Sequence, residues 1–348
     1  MLNNLLISKV NYIIVTLFSF FWSLTFFFDT NGDYGTYLAL SYLINEGQIL
    51  YTDLFDHKGP FFYFFLSSIN ELIGNGFYQS YAILILISLI YLYPLIYLLN
   101  KKTNSPYLKI TVLLLIISSF YKQDGNSSIA LFQSGLIIIF FIFLTKCLED
   151  KNKFKINWLI STIFISLAIL TRIDSFIFFP LLFIIFFFKY NNINLKKIIF
   201  DILLSLITFL IVFSFLLILL SYSLNFELSN FLNNNFYFNF WYSGNFTNKF
   251  FYRPNQYSIL LISGILITIF FILHNILKKY SYKNLKNSLF KFLKFKDVEI
   301  KIELLYFDLF FLFLGFSSLI ISIHDVFYYL YMFYAPALYF ICSRLNLI

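Results

Sequence analysis

Apolar stretches of about 20 residues recur along most of the chain, and this pattern restricts the possible folds more than any other feature. A stretch of that length crosses the hydrocarbon core of a bilayer as one α-helix. Hydrophobic residues make up 60% of the 348 residues and charged residues 12%, with a mean hydropathy of +0.80. Soluble domains carry roughly twice that share of charge. The composition excludes a soluble enzyme and a disordered chain, and it predicts an all-α polytopic membrane protein.

About ten membrane-spanning helices are predicted, within a single transmembrane domain that covers residues 1–348. The apolar segment 60–73 is too short to cross a bilayer comfortably, so it is predicted to lie in or near the interface. Two long outer loops, 29–77 and 222–256, and a lysine-rich cytoplasmic loop, 278–301, connect the spans. The predicted spans are 10–28, 78–99, 107–120, 128–145, 157–171, 175–188, 198–221, 257–276, 304–323 and 326–342.

The distribution of positive charge predicts the orientation of the chain. Cytoplasmic loops of membrane proteins collect Lys and Arg. With a cytoplasmic N-terminus, all but five of the 25 basic residues fall on the cytoplasmic side. We therefore expect a multi-pass membrane protein with both termini in the cytoplasm and no nucleic-acid partner. The five basic residues outside are Lys58, Lys122, Arg172, Lys249 and Arg253.

Acidic residues concentrate in the first outer loop. Five of the 17 Asp and Glu residues lie between residues 29 and 56. The positive-inside rule does not govern acidic residues, so this concentration needs another cause. It indicates that the outer face is the functional one. The five residues are Asp29, Asp33, Glu46, Asp53 and Asp56.

A short helix is predicted at the start of this loop. Asp33 suits the N-cap of a helix over 34–45, and Gly47 suits its end. The helix would hold the Asp33 carboxylate just after the first span, at the boundary between water and lipid. One of its faces is expected to lie on the membrane surface. That face carries Tyr34, Tyr37, Leu38, Ser41 and Tyr42.

The run from Tyr51 to Pro60 brings two acids, an imidazole and an ammonium group together before a second short helix, for which Pro60 suits the first turn. Carboxylates and imidazole are able to hold a divalent cation. Three such residues on one loop do not define a coordination geometry, however, and hydrogen bonds that brace the loop are the favoured interpretation. The residues concerned are Asp53, Asp56 and His57.

The arrangement D-x3-Y-x-A followed by G-x2-LY-x-D-x2-DHK-x-P resembles the first periplasmic loop of GT-C superfamily glycosyltransferases. The resemblance is to bacterial family-39-type transferases, which are related to protein O-mannosyltransferases and to the lipid A aminoarabinose transferase. Two later matches are the helix end at residues 167–174 and His324 with the tyrosines and proline that follow it. The matching residues of the first loop are Asp33, Tyr37, Ala39, Gly47, Leu50, Tyr51, Asp53, Asp56, His57, Lys58 and Pro60.

The resemblance implies transfer of one sugar, with inversion, from a polyprenyl-phosphate donor to an envelope acceptor on the outer face of a bacterial plasma membrane. It implies that Asp33 is the base that accepts the proton of the acceptor hydroxyl. It assigns binding of the donor phosphate to Lys58, Arg172 and His324. No cofactor is required, and a divalent cation stays an alternative. The residues expected to support the site are Asp29, Tyr37, Tyr51, Asp53, Asp56, His57 and Asp174.

Each of these roles has a structural alternative. Asp33 is also explained as a helix cap, with Asp29 as the alternative base. Lys58 is also explained as a solvated interface lysine, and Arg172 with Asp174 as a structural ion pair, since charges near membranes tend to pair. The second outer loop is expected to cover the acceptor, where Trp241 or Tyr242 would stack on a sugar.

Two other functions stay open on the sequence alone. A polysaccharide assembly protein of the O-antigen-polymerase type also has about ten spans and a large outer loop. Such proteins usually use outer arginines in later loops, and only Arg172 and Arg253 are predicted outside here. A lipid-linked-sugar transporter or flippase would carry charged residues in mid-span and broken helices along a pathway. The charged residues here lie near predicted helix ends, which favours the transporter least.

Overall fold

The computed structural model describes residues 2–26, 33–74, 76–102, 128–189 and 195–238. Four of the predicted spans lie outside these residues, and so do Asp29 and His324. In the part that the structure describes, the chain is mostly helical and forms no strand beyond an isolated bridge between Leu50 and Leu54. The predicted spans outside the described residues are 107–120, 257–276, 304–323 and 326–342.

Nine α-helices are found among the described residues. Short 3-10 helices cover Lys151–Lys153 and Ile173–Phe178, and a π-helix covers Leu232–Tyr237. The α-helices are α1 (Leu2–Phe26), α2 (Asp33–Asn45), α3 (Pro60–Ile73), α4 (Phe77–Lys102), α5 (Ser128–Glu149), α6 (Phe154–Thr171), α7 (Leu181–Lys189), α8 (Leu195–Leu224) and α9 (Leu228–Phe231).

Four helical segments are long and apolar enough to cross a membrane, and by this measure the chain is a helical membrane protein. They coincide with four predicted spans, those at 78–99, 128–145, 157–171 and 198–221. Shorter apolar helices correspond to the predicted spans at 10–28 and 175–188. The four segments are Tyr78–Leu98, Ser128–Glu149, Lys151–Thr171 and Lys196–Leu224.

The predicted continuous span at 175–188 is interrupted in the structure. A 3-10 helix ends at Phe178, and α7 begins only at Leu181. Pro180 separates the two, because proline lacks a backbone N–H and fits the start of a helix far better than its interior. The Pro180 carbonyl instead accepts the first hydrogen bonds of α7, from the amides of Phe183 and Ile184 at 3.1 Å.

Helix α5 lies at the centre of the described bundle and packs against α4 and α6. Gly135 makes the contact with α4 close, because a Cβ atom there would lie 2.6 Å from the carbonyl oxygen of Ile90. Small residues allow helix backbones to approach in membranes, where dispersion contacts drive association. One face of α8 has large exposed apolar side chains, which include Phe200, Ile211 and Phe215.

The two ends of the bundle differ in chemistry. At one end, Lys101 pairs with Glu149, and the Lys146 ammonium lies 4.6 Å from the ring centre of Phe143. The 3-10 helix Lys151–Lys153 follows at the same end. The opposite end holds the starts of α4 and α5, the end of α6, and the segment from Asp33 to Pro60. This separation agrees with the segregation of basic residues that the sequence predicts.

Helix α2 begins at Asp33, one residue before the predicted start, and α3 covers the predicted 60–73. The face of α2 that was expected on the membrane surface is instead largely buried within the protein, where Tyr34, Tyr37 and Ser41 are in the core. The Tyr34 hydroxyl donates to the Ser80 carbonyl at 2.9 Å, and the Tyr37 ring packs edge-on against Phe62. These aromatic contacts hold α2 on the bundle.

We expect Gly135→Ala to destabilise the protein by about 1–3 kcal/mol, because the added methyl group overlaps the α4 backbone at Ile90. The measurement is the thermal unfolding midpoint of the purified protein in detergent. Ser134→Ala is the control, since it removes one atom from the neighbouring buried residue and adds none. Equal midpoints for the two variants would contradict close packing of α4 on α5.

Candidate functional site

The segment between α2 and α3, residues 46–59, forms a compact loop, which we name the motif loop. Gly47 leaves α2 with φ +95°, and Tyr51 has φ +68°, which is uncommon for a residue other than glycine. The Tyr51 amide donates to the Leu54 carbonyl at 2.8 Å, and the Asp53 carboxylate accepts from the Ile49 amide at 2.8 Å. Asp53 therefore braces the loop.

Tyr51 also ties the two ends of the motif loop together. Its hydroxyl donates to the Lys58 carbonyl at 2.6 Å. Its ring is buried against Phe226 and Phe231, with ring centres 5.3 Å and 5.6 Å away. Burial raises the pKa of Tyr51 well above its usual value, so the hydroxyl stays neutral and keeps its proton for this bond.

The Asp56 carboxylate is the centre of hydrogen bonding at the end of the motif loop. One oxygen accepts from the Lys58 amide at 3.0 Å and lies 3.4 Å from Nδ1 of His57. The other oxygen accepts from the hydroxyl of Tyr63 on α3. Burial and the Asp56 charge raise the pKa of Tyr63, which keeps that hydroxyl protonated. The buried carboxylate is thus compensated by donors, as a buried charge requires.

His57 and Lys58 form a close pair. Their Nε2 and Nζ atoms are 2.7 Å apart. An ammonium group only donates, so His57 accepts at Nε2 and carries its own proton on Nδ1, facing Asp56. Burial and the neighbouring ammonium lower the pKa of His57 to about 4. Burial and the charge of Arg172 lower the pKa of Lys58 to about 8. At neutral pH the imidazole is neutral and the lysine is charged.

Gly59 docks the motif loop on the end of α6. Its amide donates to the Thr171 carbonyl at 2.9 Å, and a Cβ atom at this position would lie 2.0 Å from the Leu170 carbonyl oxygen. This contact also satisfies a carbonyl of the last turn of α6, which has no partner within its own helix. Arg172 is the first residue after α6, so this docking contact brings Lys58 close enough for the Arg172 charge to lower the pKa of Lys58.

Arg172 forms an ion pair with Asp174, with the guanidinium nitrogen 3.0 Å from the carboxylate oxygen Oδ2. The two side chains are 16% and 20% exposed, so both are largely buried. Oδ1 of Asp174 accepts from the side-chain amide of Gln133 on α5. Residues 56–58, 172 and 174 together form what we name the ionic cluster.

An asparagine-rich segment after α8 holds the motif loop from the other side. Three asparagine amides donate to it: Asn230 to the Thr52 hydroxyl at 2.9 Å, Asn234 to the Tyr51 carbonyl at 2.8 Å, and Asn235 to the His57 carbonyl at 3.1 Å. The π-helical winding of Leu232–Tyr237 has more residues per turn than an α-helix, which brings residues five apart closer to one face. The second outer loop was expected to cover the acceptor, and its described part packs on the motif loop.

The structure brings most of the sequence-predicted residues to this end of the bundle. Asp33 is exposed at the start of α2, and its charge acts on Lys58. Tyr37 is a buried packing residue rather than a surface group. Within the described ranges, no group of three His, Cys, Asp or Glu side chains is arranged to hold a metal ion. Trp241, Tyr242, Lys249 and Arg253 lie outside the described residues, as Asp29 and His324 do.

Sequence reasoning missed the residues that support the cluster from a distance. Gln133, Asn234 and Asn235 each bond to a motif residue. No local pattern identified them, because their partners are far away in the chain. The only available signal for Gln133 was an amide within an apolar span, where polar side chains are rare and are often functional.

Comparisons with protein-family models, with curated proteins and with solved structures each found no match. The fold and the site define a helical membrane protein with an ionic cluster at one end of its bundle. Its chemistry is therefore inferred from the cluster itself.

We expect Gly59→Ala to destabilise the protein by about 1–3 kcal/mol, because the methyl group would push the motif loop off α6. Gly47→Ala is the matched control: a Cβ atom there meets nothing within 4 Å, and only the positive φ is strained, at about 1 kcal/mol. Thermal unfolding midpoints compare the two variants. A smaller loss for Gly59→Ala than for Gly47→Ala would contradict the docking contact.

We expect Asn235→Ala to speed hydrogen exchange of the amides in residues 49–58 by roughly fivefold, because the partly buried His57 carbonyl loses a hydrogen bond of about 1 kcal/mol. Peptide-level exchange followed by mass spectrometry makes the measurement. Asn233→Ala alters an exposed asparagine of the same segment and should leave the rate unchanged. Equal rates in the two variants would show that the segment does not hold the motif loop.

Proposed function

We propose that the protein is a glycosyltransferase that moves one sugar from a polyprenyl-phosphate donor to a cell-envelope acceptor, with inversion, on the outer face of the bacterial plasma membrane. The acceptor is a glycan, a lipid or a protein. The observation that carries the proposal is the docking of Gly59 on Thr171, which brings Lys58 and Arg172, from separate parts of the chain, within electrostatic reach of each other and of Asp33. The resemblance of the motif loop to GT-C glycosyltransferases supports the same conclusion.

The two cations suit the leaving group of this reaction. A sugar linked through a phosphodiester carries one negative charge, and a second charge develops on the phosphate as the bond to the anomeric carbon breaks. Positioned cations stabilise such developing charge most where water is partly excluded. Charge-assisted hydrogen bonds from guanidinium and ammonium groups to phosphate are shorter and stronger than neutral ones. Lys58 and Arg172 are the groups to which we assign this role.

Asp33 is the proposed base. Its carboxylate is exposed at the first residue of α2, so it is open to an acceptor from outside the bundle. The acceptor oxygen attacks the anomeric carbon opposite the phosphate, the acceptor–carbon bond forms as the carbon–phosphate-oxygen bond breaks, and the hydroxyl proton passes to Asp33. Attack from the opposite side inverts the anomeric centre. A carboxylate is a weak base, but proton transfer late in an oxocarbenium-like transition state tolerates this.

A transporter would need charged groups along a pathway through the membrane. Within the four described candidate spans, the charged residues lie near the ends: Lys146, Glu149, Lys151, Lys153, Lys155, Lys196, Lys197 and Asp201. This distribution favours chemistry at one face over transport. A polymerase of polysaccharide repeats would act at the same face, and the donor specificity measured below separates it from the proposed enzyme.

The direct test is release of free polyprenyl phosphate from short-chain polyprenyl-phosphate hexoses by the purified protein in nanodiscs. We expect turnover by the native chain and a loss of roughly 10²- to 10⁴-fold in Asp33→Asn, which removes the base. Glu46→Gln changes an exposed acid of the same loop and should keep native turnover. Undiminished turnover in Asp33→Asn would remove that residue as the base, and no turnover with any monophosphate donor would contradict the proposed function.

Binding of the lipid phosphate should depend on the charge of Lys58. Because its pKa is lowered to about 8, Lys58 loses its charge at a much lower pH than an ordinary lysine does. An anion binds the protonated form, so affinity for farnesyl phosphate should fall as the pH rises through this pKa, above the range of about pH 6 in which the phosphate itself titrates. Titration calorimetry at a series of pH values measures the effect, with farnesol as the reference for the apolar tail.

Lys58→Arg provides the control for this pH dependence, because arginine stays charged throughout the range. The fall in affinity near pH 8 should disappear in this variant. Persistence of the same fall in Lys58→Arg would assign it to another group and would contradict the role of Lys58.

A further inference from the structure

A buried amide beside the ionic cluster has no place in the sequence motif. Gln133 lies on α5, and its side chain is 0% exposed within one of the most apolar helices of the bundle. Its Nε2 atom lies 2.5 Å from Oδ1 of Asp174 and 2.5 Å from the hydroxyl oxygen of Ser175. Burial of a polar group in a membrane helix costs free energy, and polar residues at such positions are often functional. The hydrogen bonds of Gln133 to Asp174 and Ser175 therefore indicate a role at the ionic cluster.

The chemistry of the two partners determines which way the amide faces. An ionised carboxylate only accepts hydrogen bonds. The Ser175 hydroxyl donates its single hydrogen to the Ala168 carbonyl at 3.0 Å, so towards Gln133 it also only accepts. Both neighbours therefore require the NH₂ group of Gln133, and both of its hydrogens are used. The amide acts as a fixed double donor.

Occupation of Oδ1 changes how Asp174 meets Arg172. A carboxylate with both oxygens available pairs with a guanidinium through two parallel hydrogen bonds. Here Gln133 bonds to Oδ1, and the ion pair with Arg172 is formed through Oδ2 at 3.0 Å. The amide thus engages one oxygen of the Asp174 carboxylate, and Arg172 pairs with the other oxygen.

We propose that Gln133 is a positioning residue: through Asp174 it holds the Arg172 guanidinium in the orientation that receives the lipid phosphate. The proposal rests on the proposed function, since it assumes that Arg172 contacts that phosphate. Gln133 itself touches neither donor nor acceptor. Without its amide, Asp174 pairs with Arg172 through both oxygens and competes with the ligand for the guanidinium.

Phosphate recognition by variants in detergent tests the proposal. Gln133→Leu removes both donors and keeps the approximate size of the side chain. The probe is farnesyl phosphate, and the ratio of its affinity to that of farnesol isolates the contribution of the phosphate from that of the apolar tail. We expect Gln133→Leu to lower this ratio roughly tenfold, the size of a hydrogen-bond effect on a charged group.

Gln79→Leu is the matched control. Gln79 is a 4% exposed glutamine on α4, it bonds to neither Asp174 nor Ser175, and its loss should change the ratio by no more than about twofold. Thermal midpoints establish that each variant is folded. If Gln133→Leu does not fold, Gln133→Met supplies the same comparison, because methionine has a similar length and no donor.

A double-mutant cycle separates a positioning role from a merely structural one. If Gln133 acts through Arg172, Gln133→Leu has no further effect on the ratio in an Arg172→Gln background. Additive effects of the two substitutions on the affinity ratio would overturn the positioning role. A native affinity ratio in Gln133→Leu would overturn it as well. In both cases the proposed function would stand if the native chain binds the phosphate. A native chain that does not distinguish farnesyl phosphate from farnesol would overturn the proposed donor site and this inference together.

Discussion

The site depends on one contact between the motif loop and the end of α6. The Gly59 amide bonds to the Thr171 carbonyl, at a distance that leaves no room for a side chain at residue 59. This contact places Lys58 beside Arg172, and therefore two cations come together from segments that the sequence separates widely. Pro60 follows directly and begins α3, so the same corner fixes the loop, the helix after it and the cluster between them.

Most charges of the ionic cluster have a partner, and the two carboxylates also accept further hydrogen bonds. Asp56 accepts from Tyr63 and from the Lys58 amide, and Asp174 accepts from Gln133 and pairs with Arg172. Burial of an unpaired charge costs free energy, so partly buried cations require such networks of hydrogen bonds and ion pairs. The lowered pKa of Lys58 shows that the compensation is incomplete. An anionic ligand would complete it.

Much of the helical architecture was predictable, because hydrophobic length and helix-end signals are local. The four candidate spans and α3 follow from apolar runs and from Pro60, and the start of α2 differs from its predicted position by one residue. The tertiary partners were not predictable. The burial of Tyr34 and Tyr37 depends on α3 and α4, and the bonds of Gln133, Asn234 and Asn235 join residues distant in the chain. Periodicity identifies an apolar face but not whether protein or lipid covers it.

We propose that Lys58 and Arg172 form one binding site for the phosphate of a lipid donor. The most direct measurement is an experimental structure of the protein with a short-chain polyprenyl phosphate bound, at a resolution that locates the phosphorus atom. We expect phosphate oxygens within hydrogen-bonding distance of Lys58 Nζ and of the Arg172 guanidinium, with Asp174 still bonded to Gln133. A phosphate bound elsewhere, with Lys58 and Arg172 making only their ligand-free contacts, would contradict it.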